Sequence, residues 1–354
     1  LATTVAFVGC GGAIGNKGGG PGDPVLLRLA NPDGSMDYAP AAQYFIDRLQ
    51  QLSSGNIKVL SELRWGNLAP DAEQQVLRAV AMGDVDLAIQ IGPRDLATAG
   101  LAKFRAFQAP LLIESNTLEK AVFKEGIIEG TLTDLNEIGV VALAAFAQRS
   151  SAKPIAASRP LLGPDQYRGI TFYTYPSHDY AAAIKALGAR PTDQNRDAGV
   201  REGRIQGFAQ ALDAYTINHA EAFAPYVTIN VNLFSGFGLL LANPRRLARL
   251  SPQQRAWIRQ AAEEASARSL KLITEDDEYV AQLCGSGTRF AIASAVNLAG
   301  LRHAFDPIYA DLERNAQMKT IIEKIEALKR STRPDPVPGI PVKCAWRSAS
   351  TRGS

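Results

Sequence analysis

A chain of 354 residues, 46% of them apolar, can bury one large core or two cores of ordinary domain size, and two lobes are expected. Its 38 basic and 35 acidic side chains leave a net charge of +3 and are scattered, which excludes the concentrated positive face of a nucleic-acid groove. Beyond the N-terminal segment, no apolar run approaches the roughly 20 residues that span a bilayer.

The first element, VAFVGCGGAIG (residues 5–15), is an apolar run entering a glycine cluster. A dinucleotide fold would continue with Gly-x-Gly-x-x-Gly and a helix whose N-terminus holds the pyrophosphate. Gly9 and Gly11 fit, but Ile14 holds the third position, and the NKGGGPGDP that follows cannot form a helix. An export segment needs only a short apolar run, a small residue before the cut and nothing structured after it. Val5 to Val8, Gly9 and Cys10 meet that need, and the stretch resembles the lipobox of bacterial lipoproteins, whose cysteine receives the lipid. Residues 1–24 are therefore expected to be a lipoprotein signal end and a flexible Gly/Pro tether, with Cys10 as the lipidation site; a buried structural cysteine is the alternative. If so, Cys284 and Cys344 form an even remainder, which in an exported protein favours a disulfide pinning the Pro-rich tail, residues 332–354; two free thiols are the alternative.

VLLRLAN (25–31) reads as a buried strand. Tyr38, Ala41, Ala42, Phe45, Ile46, Leu49 and Leu52 then recur at helical spacing, with Asp47, Arg48 and Gln51 off that face. NIKVLSELRWG is a strand, PDAEQQVLRAVAMG a helix between Pro70 and Gly83, and DVDLAIQIG a third strand. This alternation predicts a parallel sheet covered by helices. After a helical stretch over 116–139, a second block offers the strands VVALAAFAQ and ITFYTY, the helix SHDYAAAIKALG, and RDAGVREGRIQG running into the strand FAQAL.

GDVDLAIQ (83–90) and GRIQGFAQ (203–210) align without a gap, placing Gly83 opposite Gly203, Asp86 opposite Gln206 and Gln90 opposite Gln210. The echo fits two similarly built lobes. Thr228, Asn230 and Asn232 alternate with Val227, Ile229 and Val231, which predicts a strand with one polar face. From Ser251, with Pro252 in the first turn and Gln254 at the capping-box position, one very long helix is expected to run through Leu283. TRFAIAS adds a strand and residues 295–331 more helix.

No catalytic constellation accompanies these elements. His178, His219 and His303 are far apart and form no metal-ligand spacing, and HAEAF reads as a helix surface. There is no Gly-x-Ser-x-Gly elbow, GSGTRF reads as a helix stop before a strand, and EDDE (275–278) as a solvated face. A non-enzymatic protein without cofactor or metal is expected.

In order, these segments resemble a TRAP-type solute-binding protein, the extracytoplasmic receptor of tripartite ATP-independent transporters. The likeness covers about residues 25–331: the opening from VLLRLAN through LRWGNL, then LRAVAMGDVDLAIQ, FRAFQAPLL, RPLLGPDQYRGITFY, LGARP, REGRIQG, YVTINVN and LSPQQRAWIRQAAEEA. The resemblance implies a periplasmic-binding-protein-like α/β fold with hinge strands and a long lobe-spanning helix. Lobe 1 would take about 25–145 and lobe 2 about 146–228, each with returning segments. It also implies a monomer that closes over a small solute and delivers it to two membrane subunits from the periplasm or the outer face of the cytoplasmic membrane, held there by its lipid. A lipid-anchored sensor and an exported enzyme are the other readings.

The family's carboxylate-clamping arginine aligns with Tyr173, and its acidic Asp-Gly-x-Glu with Gln206 and Ala209. Strand-end logic places Gln90 and Gln210 in the cleft, with Arg149 as the remaining cation and Tyr173 as a stacking ring. Tyr38, Asn230 and Asn232 complete the expected set, which suits a small polar ligand, neutral or with a single carboxylate.

Overall fold

Strand β1 (Val25–Ala30) buries Leu27, Leu29 and Ala30 completely, and two sheets grow from such short apolar strands. The computed structural model describes residues 24–148, 153–273 and 276–346, so Cys10 and Arg149 lie outside the described residues. In chain order β2 (Ile57–Glu62), β3 (Leu87–Ile91) and β4 (Val141–Ala147) follow. Next come β5 (Ile155–Ala157), β6 (Thr171–Tyr173), β7 (Arg190–Thr192), β8 (Gly207–Ala209) and β9 (Tyr226–Thr228). The last are β10 (Phe237–Ala242) and β11 (Arg289–Ala291).

The first sheet has the order β2-β1-β3-β10-β4 and the second β11-β9-β5-β8-β6-β7. Within each, the strands joined by helices are parallel, as βαβ units require: β1 with β2 and β3, β6 with β7 and β8. The expected all-parallel sheet is corrected, because β10 returns from the other lobe and inserts antiparallel between β3 and β4, while β5 does the same between β8 and β9. The structure is thus two α/β lobes with mixed sheets. Strand β4, read from sequence with the second block, is the edge of the first sheet.

The echo between residues 83–90 and 203–210 is physical. Gly83 (φ +89) ends the helix Ala72–Met82 and Gly203 (φ +71) follows the helix Arg196–Arg201, both in the left-handed region that glycine enters freely. Three residues on, the Asp86 carboxylate accepts the Arg28 N–H of β1 at 2.7 Å, and the Gln206 amide oxygen accepts the Thr171 N–H of β6 at 2.8 Å. Their own N–H groups donate to Arg28 and Thr171 carbonyls at 3.0 and 2.9 Å. Each lobe therefore locks its first and third parallel strands with one polar side chain.

Three helical expectations change. The 116–139 stretch divides into the helix Asn116–Lys124 and the 3-10 segment Glu129–Ile138, with Gly126 (φ +64) between them. The long helix from Ser251 has its capping box but ends at Leu272, with Ile273 extended. A second helix, Asp276–Gly285, follows, with Asp277 and Glu278 in its first turn, where acidic side chains are favoured. The first of the pair packs on the helix Pro40–Leu52 and on β4 of the first lobe; the second packs on the helix Leu212–Ile217 of the other. Ser266 donates to the Ala145 carbonyl at 2.7 Å and Ser269 accepts the Ala147 N–H at 3.0 Å, so this helix satisfies the open edge of β4. The alternating stretch after Tyr226 is strand only to Thr228, and residues 229–236 form the crossover into β10.

Cys284 and Cys344, both buried, are joined in a disulfide across 60 residues. It holds the tail where Cys344 accepts the Phe290 N–H at 2.8 Å and Trp346 donates to the Phe290 carbonyl at 2.7 Å, covering the β11 edge. The EDDE run contributes here too, since Asp277 accepts the Gly339 N–H at 2.7 Å. Cys344→Ser should lower unfolding stability by about 2–4 kcal/mol, measured as a shift of the denaturant midpoint. An unchanged midpoint would mean that the disulfide contributes no stability.

Candidate functional site

Residues after the carboxyl ends of β1, β3, β6 and β8 face one another across a cleft of about 600 Å³, lined from both lobes. Gln90 lies inside β3 yet has φ +65, a left-handed conformation unusual for a residue with a side chain. It coincides with an irregularity in the pairing of β3 with β10, where Leu239 faces Ile91 and Leu241 faces Ala88. Such bulges re-aim a side chain at the cost of local strain. Here the amide reaches the cleft wall, donating to the Asp33 carboxylate at 2.9 Å and the Tyr38 carbonyl at 3.3 Å.

Gln210, at the matching place in the second lobe, also lines the cleft; its oxygen accepts from the Arg196 guanidinium at 2.9 Å. Tyr38 reaches across and donates its hydroxyl to Asn218 of the second lobe at 3.1 Å. The structure thus brings Tyr38, Gln90 and Gln210 to one cavity.

The other expected residues are placed differently. Asn230 and Asn232 are not on the wall; in the crossover, Asn230 exchanges bonds with Ala293 (2.9 Å to its carbonyl, 2.8 Å from its N–H) and Asn232 donates to the Glu114 carbonyl at 2.9 Å. Their amides satisfy buried backbone. Tyr173 is also set back from the cavity, with Tyr175, ring centroids 5.5 Å apart, taking the lining position.

A cation beside Tyr173 comes from the helix Arg196–Arg201. The Arg196 guanidinium lies 6.0 Å from the Tyr173 ring and 5.0 Å from that of Phe208, and is paired with Asp197 at 2.6 Å. Arg94 is paired with Glu73 at 2.9 Å and Asp95 at 3.2 Å and stacks 4.4 Å over Tyr175. Burial opposes its charge, but Asp95 and Glu73 outweigh that and hold its pKa above the usual arginine value.

Lys153 was not anticipated, though it is the one lysine between β4 and β5, where the chain crosses lobes. Among the described residues its ammonium makes no hydrogen bond or ion pair. Burial, and then repulsion from Arg94, push its pKa down to about 8 against the weaker pull of Glu119, Asp213 and Asp95. Gly236 makes room for it: a Cβ there would stand 3.2 Å from Nζ, just as one on Gly238 would stand 3.1 Å from the Gln90 oxygen. Arg64, Arg94, Lys153 and Arg196 are the basic lining side chains. Asp33, Glu73, Asp95 and Asp213 are the acidic ones, so the described lining side chains carry equal numbers of either sign. No group of three or more metal-ligating side chains occurs among the described residues.

Residues 30–315 match the bacterial extracellular solute-binding protein family 7, DctP. Among solved structures, a TRAP periplasmic solute-binding protein from Chromohalobacter salexigens with bound D-glucuronate has a TM-score of 0.75 and 17% identity, over 85% of this chain and 99% of that one. The sugar acid binding protein from Advenella mimigardefordensis in complex with galactonate gives 0.76 and 20%, over 88% and 99%. One from Sulfurospirillum deleyianum with bound succinate gives 0.73 and 17%, over 86% and 98%.

The Tyr38 to Asn218 bond joins the lobes across the cleft. Tyr38→Phe should remove about 0.5–1.5 kcal/mol of lobe-to-lobe attraction, lowering the closed-to-open ratio by roughly twofold to tenfold. Small-angle scattering of the ligand-free protein should then show a larger radius of gyration. An unchanged curve would show that the bond does not hold the lobes together.

Proposed function

The chain belongs to bacterial extracellular solute-binding protein family 7, and from that membership we propose that it is a TRAP-transport receptor whose interlobe cleft closes on a small organic acid bearing one carboxylate. It is a binding protein and not an enzyme. The observation that carries the choice of ligand is Lys153. A half-buried ammonium that meets no counter-ion among the described residues is held at a cost, and an incoming carboxylate would supply a partner. The three similar structures named above hold a sugar acid or a dicarboxylate, which agrees with an acid. Tyr173 in the family's arginine place argued for a neutral alternative; Arg196 beside it and Lys153 in the cleft argue against that. Gln90 and Gln210 give hydrogen bonds from opposite lobes, so a ligand touching both favours closure.

Titration calorimetry against sugar acids, hydroxy acids and dicarboxylates tests the assignment. For the tightest ligand found, Lys153→Gln should weaken binding by roughly tenfold to a hundredfold, the equivalent of about 1.5–3 kcal/mol for a hydrogen bond to a charged group. The pH dependence follows from the same group. An anion selects the protonated amine, so affinity should be flat below about 8 and fall as pH rises through that value. The loss should approach tenfold per pH unit until the pKa of the complex is reached. Lys153→Gln should abolish that slope; a wild-type affinity constant from pH 7 to 10 would refute the role of Lys153.

The same reading makes Cys10 the lipid attachment that keeps the receptor beside its membrane subunits, supported by FVGC before a glycine-rich tether. Cys10→Ala in the precursor should move the protein from the membrane to the soluble fraction. Unchanged membrane retention would rule the attachment out.

A further inference from the structure

Among the described residues, Lys153 is matched by a second charge without an ion pair. Asp33, in the turn after β1, lines the same cleft, and there its only side-chain partner is the neutral Gln90 amide at 2.9 Å. Burial pushes its pKa up against the pull of that hydrogen bond. By contrast, Arg94 has Glu73 and Asp95 and Arg196 has Asp197, while the Arg64 side chain is exposed to water. Among the described residues four basic and four acidic side chains line the cleft, so a bare carboxylate would add one negative charge to that balance, beside an Asp33 carboxylate that has no cation there.

Lys153 and Asp33 border the same cavity. A Cβ on Gly236 would stand 3.2 Å from Nζ of Lys153 and one on Gly238 3.1 Å from the Gln90 oxygen, and the Cα atoms of these two glycines are at most about 7 Å apart. Asp33 lies next to that amide. Accepting that the ligand is an acid, as argued above, we infer that it is zwitterionic: Lys153 receives its carboxylate and Asp33 receives a cationic nitrogen. A hydroxyl could donate to Asp33 but would leave the charge imbalance. An ammonium both donates and neutralises.

Matched pairs test this: 2-, 3-, 4- and 5-amino acids of three to six carbons, each against the hydroxy acid of the same skeleton, by thermal shift and then calorimetry. The expected result is that at least one amino member binds tenfold or more tighter than its hydroxy counterpart. Asp33→Asn, which keeps an oxygen for Gln90, should erase that preference. Hydroxy acids that bind as well as or better than their amino partners in the wild-type protein overturn the zwitterion and leave the acid receptor standing, and that comparison needs no variant. If no carboxylate in either series, nor any in the sugar-acid and dicarboxylate panel, shifts the melting temperature, the acid reading itself fails and takes this inference with it.

Discussion

An ammonium removed from water must find a negative partner or give up its proton, and the cleft is built around one that has done neither completely. Lys153 sits where the chain crosses between lobes, and among the described residues neither sheet pairs it with a carboxylate. Its neighbours are already engaged: Asp95 answers Arg94, and Arg94 repels Lys153 in turn. The glycines at 236 and 238 keep the floor low enough for Lys153 and Gln90 to lie over it. Larger side chains there would fill the space that a ligand needs.

Around that group the two lobes repeat one design with different chemistry. Asp86 and Gln206 do the same structural job, tying third strand to first, although one is charged and the other neutral. What matters at that place is an acceptor of the right reach, which explains why Gln206 can stand where the family carries an acid. Four residues on, Gln90 and Gln210 present amides from opposite walls. Gln90 requires a strained backbone to do so, and Gln210 reaches its place just beyond a three-residue strand.

Strands and helices that rest on local pattern were legible in the sequence, and so was the glycine-to-glutamine echo, because turn chemistry and strand period are written in adjacent residues. The misreadings have a common cause. Val227 to Asn232 alternates as a half-buried strand would, but Asn230 and Asn232 are polar because a crossover must satisfy the backbone of Ala293 and Glu114. Periodicity does not distinguish a solvated face from an inward-facing amide. The break after Leu272 needed the acidic run to be read as a helix start and not as a face. Lys153 was invisible for a different reason: its meaning lies in what does not surround it, which only the folded chain reveals. Tyr173 marked the right neighbourhood, while the aromatic wall is provided two residues later and the positive charge by a helix more than twenty residues away.

The interleaved strand order also governs how the molecule can be assembled. Strand β4 has no partner in the first sheet except β10, so until residue 242 has been made that sheet exists as the β2-β1-β3 piece and a separate strand. The second sheet likewise waits for β11 at its edge. A growing chain therefore cannot finish its first lobe before starting its second, as independent domains in series would. Completion comes late and for both lobes together. The half-made first lobe offers open strand edges throughout that interval, a state in which the chain depends on being kept from its neighbours.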